Sequence, residues 1–394
     1  MTEVGREPAG DALTAWRSYR LAAIPGDGVG PDVLAAGRQV LETTATAAGF
    51  GLEWTELVVG GAGIDAYGVA IRPEDVAACA ASDAVYLGAV GGPKWDDPTS
   101  PVRPEQALFA MRGGLGLFAN LRPVTIHRGL TAASPLRPEL LEGVDLLIVR
   151  ELTGGLYFGS RTEASGPAGA RAASDTLPYA DTEIERVVRV AFELARSRRS
   201  KVTSVDKANV LATSRLWRRV AGEVGAEFPD VQLTHQLVDS CAMQLVKWPA
   251  AFDVLVTENL FGDILSDEAS VLAGSLGLLP SASVGSRRTA HGLFGLYEPI
   301  HGSAPDIAGR DLANPIGTIL SGAMLLRWSL GQADAAAAIE AAVSQAIDDG
   351  FRTADLWPAD GQPTAGLSRV GTGAMTQAIV DRLVLRSRAP EAVA

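Results

Sequence analysis

Short apolar or β-branched runs alternate along this chain with longer amphipathic stretches, and that alternation narrows the fold more than any other feature. The runs occupy 20–24, 52–59, 84–88, 117–121, 145–149, 201–205, 232–237 and 252–256. Strand-length runs separated by helical segments predict an α/β architecture with a largely parallel sheet. In 183–196 and 333–348 apolar positions recur every three or four residues, the period of a helix that buries one face. With 394 residues the chain is too long for one small core, so two domains or one large α/β domain are expected. The small-residue stretch 160–174 reads as a surface loop or arm, and 358–366 as a loop before a last helix at 372–385.

Charge and cysteine usage exclude several classes. A net charge of -12 opposes nonspecific nucleic-acid binding, which needs clustered Lys and Arg to neutralise phosphates. No segment has the apolar length needed to cross a bilayer, so no membrane partner is expected. Residues 1–19 mix acidic and basic side chains without an apolar core, which reads as a loose extension rather than a targeting peptide. Cys79 and Cys241, far apart in sequence, fit neither a disulfide framework nor a cysteine metal cluster. A reducing cytoplasm is the expected compartment.

The segment Asn259-Leu260-Phe261-Gly262-Asp263-Ile264-Leu265-Ser266-Asp267-Glu268 follows an apolar run and sets two carboxylates four residues apart. On a helix that spacing stacks Asp263 and Asp267 on one face. Two such acids repel unless a proton, a basic side chain or a hard cation neutralises them, and carboxylate oxygens suit Mg2+ or Mn2+. The plainer alternative is a solvated acidic turn near the helix N-terminus.

Other segments carry charge beside apolar strands. Arg112 and Arg122 bracket 113–121, and Arg150 closes 145–149. Arginines there are expensive to bury unless each meets an anion, and their planar forks match carboxylates, so three of them suit a dicarboxylate. Separate structural ion pairs are the alternative. Lys207 follows the run 201–205 and is a candidate general base if a metal lies beside it; a solvated surface lysine is the alternative. Tyr157, after Gly154 and Gly155, could supply a phenolic proton or sit half-buried in the core. Ile24-Pro25-Gly26-Asp27-Gly28-Val29-Gly30-Pro31 tempts a dinucleotide reading, but it lacks the third glycine of GxGxxG and an acidic partner about 20 residues on. It reads instead as a turn of small residues that lets another backbone or a cofactor approach.

Longer motifs occur in a fixed order: 103–108 (RPEQAL), 150–157 (RELTGGLY), 206–210 (DKANV), 261–267 (FGDILSD) and 298–309 (EPIHGSAPDIAG). Together they resemble the metal-dependent decarboxylating 2-hydroxyacid dehydrogenases, the isocitrate/isopropylmalate dehydrogenase family, over 18–385. The resemblance implies a two-domain α/β fold that is not a Rossmann fold, with 1–117 plus 275–394 as a cofactor-side domain and 118–274 as a metal, substrate and dimerisation domain. It implies NAD and Mg2+ or Mn2+ as cofactors and a homodimer with shared active sites. Arg112, Arg122 and Arg150 would clamp two malate carboxylates, while Asp263, Asp267 and Asp239 from the partner subunit would hold the metal, with Asp239 also near substrate. Lys207 would act as base across the interface and Tyr157 as acid. Glu105, Leu108 and Val210 would line the pocket for the C3 substituent. The cofactor would lie along Glu298, His301, Gly302, Ser303, Ala304, Pro305, Asp306, Ile307 and Asn314.

The implied reaction is NAD-dependent oxidative decarboxylation of a 3-substituted malate, 3-isopropylmalate first among them. Leu108 and Phe109 stand where isocitrate-specific members place a serine. Phe109, where leucine is usual, leaves open another 3-alkyl- or 3-arylmalate. D-malate or tartrate dehydrogenase and a catalytically inactive regulatory subunit are further alternatives, although every catalytic position named above is present. Gly113, Ser240 and Cys241 also depart from the family pattern, and the stretches 285–295 and 356–368 look like longer loops.

Overall fold

A computed structural model describes residues 17–384, apart from 96, 98, 99 and 167–169. Most of the extension expected at 1–19 lies outside the described residues; 17–19 open the first strand. In chain order the strands are β1 (Arg17–Gly26), β2 (Phe50–Glu56), β3 (Ala84–Ala89), β4 (Ala119–Thr125), β5 (Asp145–Glu151), β6 (Arg161–Ser165), β7 (Ala172–Asp175) and β8 (Lys201–Asp206). They continue with β9 (Gln232–Leu237), β10 (Val254–Thr257), β11 (Pro280–Arg288), β12 (Leu293–Pro299), β13 (Phe351–Arg352) and β14 (Ser368–Arg369).

One ten-stranded sheet dominates, in the order β2-β1-β3-β12-β11-β4-β5-β10-β8-β9. Its two ends are parallel, as the alternation of runs predicts. Its middle is not. There β11 runs antiparallel to β12 and to β4, and β4 antiparallel to β5. For β11 and β12 the reason is local: they are joined by a short hairpin, which only antiparallel strands permit. The loop expected at 285–295 is mostly this hairpin, with Arg288 opposite Leu293. The arm at 160–174 is the antiparallel pair β6–β7, and the last helix is shorter than expected, Thr372–Val380.

The edge strands β2 and β9 are largely exposed or half-buried, whereas the strands inside each parallel end are covered by helices on both faces. Every residue of β3 and β10 is buried. Gly30–Ala48 packs on Ile316–Trp328, which lies along β11 and β12 and is apolar all round, as a helix in the centre of a core must be. Asp181–Arg196 packs on β5, β8 and β10 through Ile184, Val187, Val188, Ala191 and Phe192. The strands β1–β3, β11 and β12 come from the two ends of the chain, while β4, β5 and β8–β10 come from its centre. These two sets meet only where β4 pairs with β11, Leu121 opposite Ala282. No helix among the described residues is long and apolar enough to cross a membrane.

The Ile24–Pro31 turn does meet another backbone. Val29 N donates to Ser303 O at 2.7 Å, and Gly28, at φ 58°, would place a Cβ 2.0 Å from that same oxygen. Only glycine fits there. Val29, Val33 and Ala313 close a small apolar cluster with Ala304, Ile307 and Ala308.

Candidate active site

Arg150, Asp263 and Lys207 all lie at or just after the C-terminal ends of strands, β5, β10 and β8, where open α/β sheets gather their ligands. Asp263 and Asp267 sit on the helix Asn259–Ser270, whose first turn is capped by the Glu258 side chain accepting from Leu260 N and Phe261 N. That helix approaches β5 closely because residue 262 has no side chain. A Cβ on Gly262 would lie 2.6 Å from Arg150 Cγ.

The structure brings the three arginines together and gives each a carboxylate. Arg112, on the helix Gln106–Gly114, reaches Glu298 at 3.4 Å. Arg122, on β4, donates to Ser266 Oγ at 2.6 Å and to Asp267 at 3.3 Å. Arg150 donates to Asp263 through Nη1 and to Asn259 Oδ1 through Nε and Nη2, at 3.0 and 2.8 Å. Burial, then the charge of Arg150, pulls the Arg122 guanidinium down to about 10, so it is still a cation at neutral pH. Burial likewise lowers Arg150; Asp263 opposes that shift and Arg112 adds to it. Arg112 Nε is buried with no partner among the described residues, a donor that an incoming anion can satisfy.

Three guanidiniums therefore balance three carboxylates before any ligand arrives. A dicarboxylate and a divalent cation added together would leave that balance intact, whereas either alone would upset it. Tyr157 completes the cluster: its hydroxyl donates to Asp263 Oδ2 at 2.8 Å, and Arg150 lies 5.6 Å from the centre of its ring. Burial and then the hydrogen bond to Asp263 raise its pKa, so the phenol keeps its proton. Asp263 and Asp267 are hard oxygen donors one turn apart, and Asp267 is 69 % exposed. Among the described residues of one chain, no three His, Cys, Asp or Glu side chains gather as a metal set. The pair suits a cation that draws further ligands from elsewhere.

Lys207, Asp239 and Val210 form a separate corner. Lys207 Nζ lies 2.8 Å from Asp239, which is 61 % exposed and whose carboxyl the lysine holds below the usual range. Val210 is 63 % exposed. Beside them the packed helices Val238–Lys247 and Asn259–Ser270 leave Met243, Val246 and Ile264 in solvent, with Trp248 just beyond.

Leu108 and Phe109 have different surroundings. Leu108 is half-buried against the core that holds Met111, while Phe109 is exposed and meets Phe158 edge-on, ring centres 6.0 Å apart. Glu105, just ahead of that helix, is exposed, its Oε1 near Gly91. The segment from His301 to Ile307 lies against the Ile24–Pro31 turn, with Ser303 buried and Gly302, Pro305 and Asp306 exposed. His301 Nδ1 donates to Gly302 O at 2.8 Å, and burial lowers its pKa. That leaves a neutral ring whose Nε2 is an acceptor, buried and without a partner among the described residues. Asn314 is already engaged, donating to Asp355 and accepting from Ile316 N. Glu298 sits with Arg112, so it borders the arginine cluster as well as this loop.

Sequence reading gave no role to Asn259, Ser266 and Asn120, which hold the arginines. Asn120 Oδ1 accepts from Arg122 Nε at 2.8 Å. Its position two residues before Arg122 on a strand, hence on the same face, was the available signal. Nothing in the spacing pointed to Asn259 as the acceptor for Arg150.

Three arginines paired with carboxylates suit a dicarboxylate ligand, and comparison with known proteins gives the family of the fold. The family model described as isocitrate/isopropylmalate dehydrogenase matches residues 20–379, and the chain belongs to that family. It is 57 % identical over 364 residues to 3-isopropylmalate dehydrogenase of Anaeromyxobacter dehalogenans, covering 92 % of this chain and 99 % of the relative. It is 52 % identical to the 3-isopropylmalate dehydrogenase of a Synechococcus strain, covering 96 % and 97 %. Among solved structures, isocitrate dehydrogenase from Methylococcus capsulatus superposes with a TM-score of 0.79 at 36 % identity, covering 93 % of this chain and 99 % of that one.

Proposed function

We propose that this protein is an NAD-dependent 3-isopropylmalate dehydrogenase, converting (2R,3S)-3-isopropylmalate to 4-methyl-2-oxopentanoate and CO2 in leucine biosynthesis. The observation that carries the reading is the convergence of Arg112, Arg122 and Arg150 on the Asp263–Asp267 helix face, with Leu108 and Phe109 on the helix that bears Arg112. The relatives of the same name, at 57 % and 52 % identity, support the particular substrate.

In this reading the arginines exchange their own carboxylates for the two of the substrate, while Asp263 and Asp267 hold Mg2+ or Mn2+. Main-chain and side-chain groups from His301 to Ile307, with Glu298 and Asn314, would hold NAD; the unpaired His301 Nε2 supports this. Bound NAD would supply the hydride acceptor for C2, and Mg2+ or Mn2+ a Lewis acid for the new C2 carbonyl that would let the C3 carboxylate leave as CO2. Lys207 takes the C2 hydroxyl proton. Tyr157, protonated and tied to Asp263, returns a proton to carbon.

Lys207, Asp239 and Val210 would reach the site of a second copy. The apolar side chains exposed around them support a homodimer, because a patch of this kind favours a protein interface. The division of the sheet at β4–β11 supports two domains, 1–117 plus 275–394 and 118–274. Two buried, unpaired cysteines support a reducing compartment, the cytoplasm.

The test is NADH formation with Mg2+ or Mn2+ across 3-isopropylmalate, isocitrate, D-malate, tartrate and longer alkyl- or arylmalates. The highest specificity constant should belong to 3-isopropylmalate. A longer or aryl malate preferred by roughly tenfold, a gap within reach of one apolar contact, would replace the substrate but keep the reaction class. No turnover of any of them would overturn the reading.

A further inference from the structure

Behind Arg150 lies a closed ring of hydrogen bonds that none of the roles above uses. Asn259, which accepts two bonds from Arg150, donates through Nδ2 to Gly154 O at 3.1 Å and through its backbone N–H to Tyr179 Oη at 3.0 Å. Tyr179 in turn donates to Glu151 Oε2 at 3.3 Å. Glu151, fully buried, accepts from Thr153 N at 3.0 Å and from Gly154 N at 2.7 Å, and Arg186 supplies its counter-charge at 3.3 Å. The circuit therefore runs Arg150, Asn259, Tyr179, Glu151, Gly154 and back to Asn259.

Arg150 and Glu151 are neighbours on one strand, so their side chains leave on opposite faces of the sheet. Tyr179 is the side chain that joins what stands on those faces, beside the backbone link through Gly154. It approaches from the segment before Asp181–Arg196, with its ring edge-on to Trp217 at 5.7 Å. A side chain on Gly154 would lie 2.6 Å from the Tyr179 ring, so the loop leading to Tyr157 is moulded onto it. Burial, then Glu151 and Glu258, push the Tyr179 hydroxyl well above its ordinary range, and it stays a donor.

We propose that Tyr179 is a positioning residue: its hydroxyl ties Glu151 to Asn259 and so fixes both the Arg150 guanidinium and the loop that carries Tyr157. This rests on the dehydrogenase reading for its kinetic arm only. Tyr179→Phe keeps the ring and removes the bridge. KM for the malate substrate should rise about 3- to 10-fold, the scale of one lost hydrogen bond, with KM for NAD unchanged. Combined with Arg150→Lys, the effect should be strongly non-additive, because both changes break one circuit. Backbone hydrogen exchange should quicken in peptides spanning 152–157 and 258–262 and nowhere else. That readout needs no substrate, so it stands even if the enzyme prefers another malate or none. Unchanged exchange in both peptides would overturn the proposal, as would additivity with Arg150→Lys or an equal rise in both KM values.

Discussion

Around Arg150 every charged group already has a partner, whereas around Lys207 one ion pair stands beside exposed apolar side chains. Arg150 is 8 % exposed and shares Asp263 with Tyr157 and a carboxamide with the helix that follows β10. Asp239 is 61 % exposed, and Val210, Met243 and Trp248 are each at least 60 % exposed. The first region is preorganised by one chain; the second is the face that the proposed second copy would cover. Each arginine must trade its own carboxylate for one of the substrate, but its guanidinium is already held in place, and groups fixed before reaction are where electrostatic catalysis gains most. An exposed apolar rim gains only when another surface covers it.

The strongest way to break the first region is Asp263→Asn, which removes a carboxylate from Arg150, from Tyr157 and from the candidate cation site at once. Turnover should fall at least ~100-fold, the scale of losing one preorganised electrostatic group. Chelation should abolish activity and Mg2+ or Mn2+ restore it; kcat within a few-fold of wild type for the variant would deny Asp263 its role. The second region is broken by Met243→Glu, which sets a charge in the exposed apolar rim. Association should weaken by about 1–3 kcal/mol, roughly 5- to 150-fold in Kd, and activity should fall in step with dimer at low protein concentration. Activity unchanged in a demonstrated monomer would separate the rim from the chemistry.

A smaller effect is expected at Phe109, at the edge of the paired region. Phe109→Leu removes the edge contact with Phe158 and should shift preference among alkylmalates by no more than about tenfold, without changing metal dependence. Rates with a series of C3 substituents measure it. The least effect is on stability with pH. Burial holds His127, His235 and His301 below 6.5, so the unfolded chain takes up protons there that the folded chain resists. Stability should be insensitive to these groups above 6.5 and fall as pH drops below it, a trend chemical denaturation at pH 7.5, 6.5 and 5.5 can follow.

Much of the first region was legible because its residues sit in strand-helix transitions with unmistakable chemistry: an arginine closing an apolar run, two aspartates a turn apart. What pairs with what was not. Arg112 meets Glu298 across 186 residues of chain, a distance that no local pattern encodes. Strands β1–β5 and β8–β10 read as apolar or β-branched runs, but β11, Pro-Ser-Ala-Ser-Val-Gly-Ser-Arg-Arg, has one β-branched residue and its end reads as a loop. Its burial comes from β4, β12 and the helix laid over it, a tertiary effect. The second region was legible only through resemblance, since a single lysine after a strand has no signature of its own.

The central claim is that one chain holds an arginine-carboxylate half-site whose lysine comes from a second copy, and subunit mixing tests it most directly. Lys207→Ala and Arg112→Ala are each expected to be nearly inactive as homodimers. After verified subunit exchange, half of the dimers are hybrids with one intact site of two, so activity should recover to about a quarter of wild type. No recovery in demonstrated hybrids would mean that Lys207 and Arg112 serve the same chain's site, and the account of the exposed corner would fail.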